Sequence, residues 1–156
     1  MSATSPDAAI TGWLTMIREC CHSNGLPKEF TYAGIGDFLL QHGIWHQPRP
    51  LPKHIRRGLP RCCFGNALLL ARSRRYRYVE GYAVPDIGVC LPMHHAWNLD
   101  RRGNLIDSTW DKPGLTYLGI EFPLDVAEDA LRHNDCTVLD NPKAEHKLFR
   151  KPYVTP

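Results

Sequence analysis

Apolar residues at helical spacing predict a helix near the start of the chain. Ile10, Leu14 and Ile17 fall on one face of a helix that has 3.6 residues per turn. Ser5 supplies a capping hydroxyl and Pro6 suits the first turn, so we expect the helix to begin beside them.

The next segment combines a second predicted helix with a proline-rich loop. We expect this helix to begin with Thr31 as its cap, to include Phe38 and to end at Gly43. Residues 46–60 contain four prolines, which favour a loop because proline lacks the backbone N–H that regular structure needs. The loop leads directly into the next helix, so we expect it to form one wall of a cleft.

The remainder of the chain changes from helical to strand periodicity. A third helix is predicted to begin at Cys62 or Cys63 and to end at an arginine cluster. Runs rich in valine and aromatic residues then predict strands at 76–84, 93–99, 104–109 and 116–122, followed by a helix at 125–133. Helices followed by antiparallel strands predict an α+β fold, in which the third helix packs on the sheet.

The length and composition are those of one globular domain. We expect the 156 residues to form a single domain, 1–156, with its core at about 60–135 and an extended tail at 140–156. No stretch reaches the ~20 apolar residues of a membrane span, and the first residues lack the pattern of a signal peptide. These features predict a cytoplasmic protein that does not engage a membrane, with its six cysteines as reduced thiols.

Three residue types that can form a catalytic triad occur in the order Cys63, His95, Asp107. A cysteine at a helix start is favoured as a thiolate, and nearby backbone N–H groups there can hold an oxyanion. On its predicted strand His95 can face the thiol. We expect Asp107, on the neighbouring antiparallel strand, to accept the Nδ1–H bond of His95 and fix its tautomer.

Five short motifs around these residues resemble the papain-like and transglutaminase-like superfamily of cysteine enzymes. They are Cys63-Phe-x-Asn-Ala, Glu80-Gly-Tyr-Ala83, His95-Ala-Trp, Gly103-x-Leu-Ile-Asp-x-Thr and Tyr117-x-Gly-Ile. The resemblance covers roughly residues 60–122. It implies that Cys63 is the nucleophile, His95 the base and Asp107 the residue that orients the base. It also implies a thioester intermediate, an amide substrate and no cofactor.

The sequence leaves alternatives open around each of these residues. Cysteine and histidine are both doubled, as Cys62-Cys63 and His94-His95, and only the motif context selects the second of each pair. Cys62 and Asn66 are candidates for supporting the site or its oxyanion hole, although Asn66 fits equally well as a tie between helix and strand. The four soft ligands of the doubled pairs suit zinc chemically, but their spacing is not that of a zinc site, so no metal is predicted.

Three arginine clusters indicate which kind of substrate or partner the chain binds. They lie at 56–57, 72–77 and 101–102, in a chain whose net charge is +3. They favour a protein or peptide substrate of acidic character. A nucleic-acid-binding protein is an alternative, without a recognised binding motif, and an inactive transglutaminase-like binding module is another. Glu80 is expected to be a solvated strand residue.

Overall fold

Four helices and a five-stranded sheet make up the described part of this computed structural model, which comprises residues 5–25, 28–132, 137–141 and 148–150. The helices are α1 (Pro6–Ser23), α2 (Gly34–His42), α3 (Cys63–Ala71) and α4 (Leu124–Arg132). The strands are β1 (Ile44–His46), β2 (Arg77–Val84), β3 (Met93–Leu99), β4 (Leu105–Ile106) and β5 (Thr116–Phe122). The predicted α+β class is confirmed.

The sheet is antiparallel throughout and has the strand order β1-β5-β2-β3-β4. Its alternating side chains divide the core into two parts. On one face Ala96 and Leu118 pack with residues of all four helices. On the other face Trp97 and Tyr117 form a smaller cluster with apolar residues of β2 and β4.

Helix α3 is fixed to the sheet by packing and by one buried hydrogen bond. Ala67 and Leu68 are buried in the larger cluster, where a leucine contributes about 1.5–3 kcal/mol. The Asn98 side chain on β3 donates to the Ala67 carbonyl at 2.9 Å. The middle of α3 is therefore held against β3, the strand that carries both candidate histidines.

The first two helices show how far local signals reach. Ser5 caps α1 as predicted, accepting from the Ala8 N–H at 3.2 Å. Thr31 was the wrong cap for α2, which begins at Gly34 with Ala33 as its N-cap. The Asp37 carboxylate accepts the Ala33 N–H at 3.0 Å. A side chain inside the helix therefore accepts a backbone N–H at the helix start, the role that was expected of Thr31.

The strands at the two edges of the sheet differ from the sequence predictions. β1 was not predicted: it lies between the predicted end of α2 at Gly43 and the predicted loop, which it overlaps only at His46. Three residues are too few to show alternation, and the pairing with β5 holds them extended. β4 ends at Ile106 instead of residue 109, because only two of its residues pair with β3. Asp107 consequently lies just after a strand, whereas the sequence placed it on one.

The chain beyond α4 is described only in part. Phe149 is buried against Phe38, and its carbonyl accepts the N–H groups of Thr31 and Tyr32. His133, Cys136 and most of the predicted tail lie outside the described residues. Across the described ranges no helix is long and apolar enough to cross a bilayer, and the cellular compartment stays a prediction.

Candidate active site

Cys63 is the first residue of α3, at the end of a tight turn. Cys62 is the N-cap, is exposed and makes no side-chain capping hydrogen bond. Arg61, just before it, has a φ of 62°, a left-handed conformation that costs a non-glycine residue about 1–2 kcal/mol. Strain of this kind is common where a chain must present a side chain or a helix end in one orientation. Here it directs the chain into α3 with Cys63 half-buried.

His95 lies on β3 with its imidazole almost fully enclosed. Its side chain is 3% exposed, and Nε2 lies 2.8 Å from Asp107 Oδ2. The carboxylate was expected at Nδ1, so that atom assignment was wrong. With the carboxylate at Nε2, Nδ1 is the ring nitrogen left for another partner.

The Cys63 thiol also affects this imidazole. Cys63 lies close enough to His95 to help raise the pKa of the ring. Burial favours the neutral imidazole, but the interactions with Asp107 and Cys63 outweigh it and raise the pKa of His95 to about 9. The three residues predicted from the sequence are thus brought together in the order thiol, imidazole, carboxylate.

Asp107 is held by three donors besides His95. Its Oδ1 accepts the backbone N–H groups of Thr109 at 2.8 Å and Trp110 at 3.3 Å. Its Oδ2 accepts the Tyr117 hydroxyl at 3.0 Å. Burial opposes ionisation, but the hydrogen bond with His95, the charge of His95 and the bonds from Thr109 and Tyr117 keep the pKa of Asp107 below its usual value. The carboxylate therefore stays ionised and fixed in position.

Two aromatic residues of this site complete its enclosure. The Trp110 ring stacks on His95 with 4.0 Å between ring centroids and an angle of 13° between the planes. Tyr117, fully buried on β5, accepts the Gly114 N–H at 2.7 Å while it donates to Asp107. No local pattern in the sequence predicts the contacts that Trp110 and Tyr117 make with His95 and Asp107.

Asn66 is committed to the scaffold around the site. Its Oδ1 accepts the Leu59 N–H at 3.0 Å, and its Nδ2 donates to the Leu59 carbonyl and to the Thr109 hydroxyl. A Cβ on Gly58 would lie 2.3 Å from the Asn66 Cγ, so the loop can approach only because residue 58 is glycine. Both amide hydrogens of Asn66 are used, which leaves none for an oxyanion.

The burial of Glu80 was predicted wrongly from the sequence. The side chain was expected in solvent, yet it is fully buried on β2. It accepts the Tyr78 hydroxyl at 2.9 Å and the N–H groups of Val138 and Leu139, and lies 3.0 Å from His94 Nε2. The signal available in the sequence was alternation, since position 80 shares a face with the buried Tyr78.

The donor sets near the site do not form a metal centre. Within the described ranges, no group of three His, Cys, Asp or Glu residues is placed to hold a metal ion.

A scan against protein-family models, a search of curated proteins and a search of solved structures each returned no match.

Proposed function

We propose that this chain is a thiol-dependent hydrolase or acyltransferase of the papain-like and transglutaminase-like type, acting on an amide bond. One observation carries the proposal: the His95 imidazole is hydrogen-bonded to the fixed, ionised Asp107 and lies close enough to Cys63 for the thiol to help raise its pKa. A histidine in that position can take a proton from the thiol and return it to a leaving group.

The proposed reaction begins with attack of Cys63 Sγ on the substrate carbonyl carbon. The carbonyl π electrons move to the oxygen, and the C–N bond then breaks as cationic His95 gives its proton to the leaving amine. A thioester on Cys63 remains. Water then attacks the thioester carbonyl while neutral His95 takes its proton. The C–S bond breaks as the carbonyl re-forms, which releases the acid and restores the Cys63 thiolate beside cationic His95. An amine in place of water gives acyl transfer.

Asp107 has a positioning role in this scheme. Its four hydrogen bonds fix the carboxylate, and the carboxylate fixes Nε2 of His95, which leaves Nδ1 as the nitrogen available to the thiol. The same negative charge stabilises the imidazolium that forms in each half-reaction. Stacking by Trp110 shields the His95–Asp107 pair from water and strengthens it.

The N-terminus of α3 is the proposed oxyanion site. The first N–H groups of a helix have no partner within the helix, and the N-cap Cys62 offers no side-chain acceptor to them. They are directed toward the end of the helix where the substrate oxygen would acquire negative charge. This role falls to the backbone of Cys63, since the Asn66 amide is fully engaged and Cys62 makes no capping contact.

Thiol labelling is the direct test. Ordinary cysteines ionise near pH 8.5 and alkylate slowly below it, whereas a thiolate paired with an imidazolium reacts at about pH 6. We expect iodoacetamide to modify Cys63 at about pH 6 faster than the other cysteines, as measured by peptide mass spectrometry.

Two variants make this test specific. Cys63→Ser should abolish the fast phase, and Cys62→Ser, which removes the exposed neighbour on the same turn, should retain it. Loss of the fast labelling phase in Cys62→Ser would reject the proposal. So would a labelling rate that rises only above about pH 8.5. Acyl-probe trapping on the wild-type chain, absent from Cys63→Ser, then tests thioester formation.

A further inference from the structure

A basic groove passes from the exposed side of α3 to the β3–β4 hairpin. It consists of two neighbouring cavities of about 590 and 530 Å³ that share His54, Arg75 and Tyr76. Loop residues 54–58 form one wall, and the β3–β4 hairpin closes the far end. The arginine clusters, which are separate in the sequence, therefore converge on one concave surface.

Charge is concentrated in this groove. It is lined by five arginines and one aspartate, a formal excess of +4, which exceeds the +3 of the whole chain. Within the described ranges, no ion pair joins Arg56, Arg75 or Arg101 to a carboxylate. Asp100 is occupied with the Asn104 amide and with hairpin N–H groups. Most of the positive charge thus remains available to an external anion.

The groove also has an apolar floor. Ile55, Leu69 and Leu70 line the larger cavity, and Leu69 is 69% exposed. An occupant therefore needs both carboxylates for the arginines and apolar side chains for the floor, a combination that a peptide supplies.

The course of the groove leads toward the thiol. Leu70 is seven residues after Cys63, so the two lie two turns apart on nearly the same side of α3. The lining of the larger cavity also includes Gly58 and Ser108, whose backbones are joined by a 2.8 Å hydrogen bond. Ser108 is the neighbour of Asp107 in the chain. A chain lying in the groove would pass beside Asn66, one turn of α3 after Cys63, and beside Ser108.

We infer that this groove binds an acidic, partly apolar segment of a protein substrate and so presents a nearby amide to Cys63. The inference rests on the proposed function. It narrows the substrate class to proteins that carry acidic residues beside the reacting amide.

Fluorescence polarisation of a glutamate-rich peptide containing leucine tests this inference on the full-length Cys63→Ala chain. Binding should weaken steeply as salt rises, because charges at an exposed surface are screened. The double variant Arg75→Ala, Arg102→Ala should bind about 10-fold more weakly or worse. The matched control Lys28→Ala, Arg49→Ala removes two exposed charges elsewhere and should stay within about 2-fold.

The other outcomes separate this inference from the proposed function. Equal losses in both double variants, binding indifferent to salt, or tighter binding of a single-stranded oligonucleotide of equal charge would overturn the acidic-peptide groove. Fast Cys63 labelling in the Arg75→Ala, Arg102→Ala chain would leave the proposed chemistry standing in that case. Conversely, specific peptide binding without a reactive Cys63 would retain the groove and reject the enzyme.

Discussion

Two adjacent histidines on β3 each meet a carboxylate, on opposite faces of one sheet. His95 Nε2 lies 2.8 Å from Asp107, and His94 Nε2 lies 3.0 Å from Glu80. Strand alternation sends the two side chains in opposite directions. By distance alone the pairs are equivalent, so a histidine–carboxylate contact does not identify the reactive site.

The pairs differ in what surrounds them. Glu80 accepts from Tyr78 and from two backbone N–H groups at 138 and 139, so it ties a distant segment to the sheet. His94 contacts the rings of Phe64 and Tyr82. His95 instead lies near Cys63 at a helix end, and the thiol helps to raise its pKa. The comparison assigns the Glu80 pair to stability and the Asp107 pair to the proposed chemistry.

The largest effect that tests this division is on stability. Glu80→Gln replaces one carboxylate oxygen with an amide nitrogen, which cannot accept hydrogen bonds from the buried donors around it. The variant should lose about 4 kcal/mol of unfolding free energy. Asp107→Asn keeps the Oδ1 acceptor, and its new amide can donate to the Tyr117 hydroxyl, so about 1–2 kcal/mol is expected. Urea denaturation of both variants measures the difference. Equal costs would show that Asp107 is as structural as Glu80.

The sequence predicts those features of the fold and the site that depend on residues close together in the chain. The α1 cap and the bounds of β3 and β5 follow from capping and alternation, and the structure has them as predicted. The burial of Glu80 and the choice of Nε2 over Nδ1 depend on where distant segments dock. No local pattern encodes such contacts, and the same is true of the convergence of the arginine clusters.

A second test uses the pH dependence of stability. The pKa of His95 is about 9 in the folded chain against 6.5 for an ordinary histidine, so folding favours its protonated form. Its contribution is fully present below about pH 6.5 and is lost as pH rises through about 9, a change on the order of 3 kcal/mol. The difference in unfolding free energy between wild type and His95→Gln should shrink over that range.

Asp107→Asn supplies the control for the pH test, because it removes one of the two groups that raise the pKa of His95. In that background the loss with rising pH should be smaller. A difference between wild type and His95→Gln that stays constant or grows from pH 6.5 to 9 would show that His95 is neutral in the folded chain, contrary to the thiolate–imidazolium pair.

The smallest expected effect separates the two histidines most directly. Without its imidazolium partner Cys63 should behave as an ordinary thiol, of which about 3% is ionised at pH 7. We therefore expect His95→Gln to slow alkylation of Cys63 at pH 7 by about 10- to 30-fold, since a more basic thiolate is also more nucleophilic. His94→Gln removes a ring on the opposite face and should change the rate by less than about 3-fold, as measured by mass spectrometry. If His94→Gln slows the reaction as much as His95→Gln, the motif context selected the wrong member of the pair.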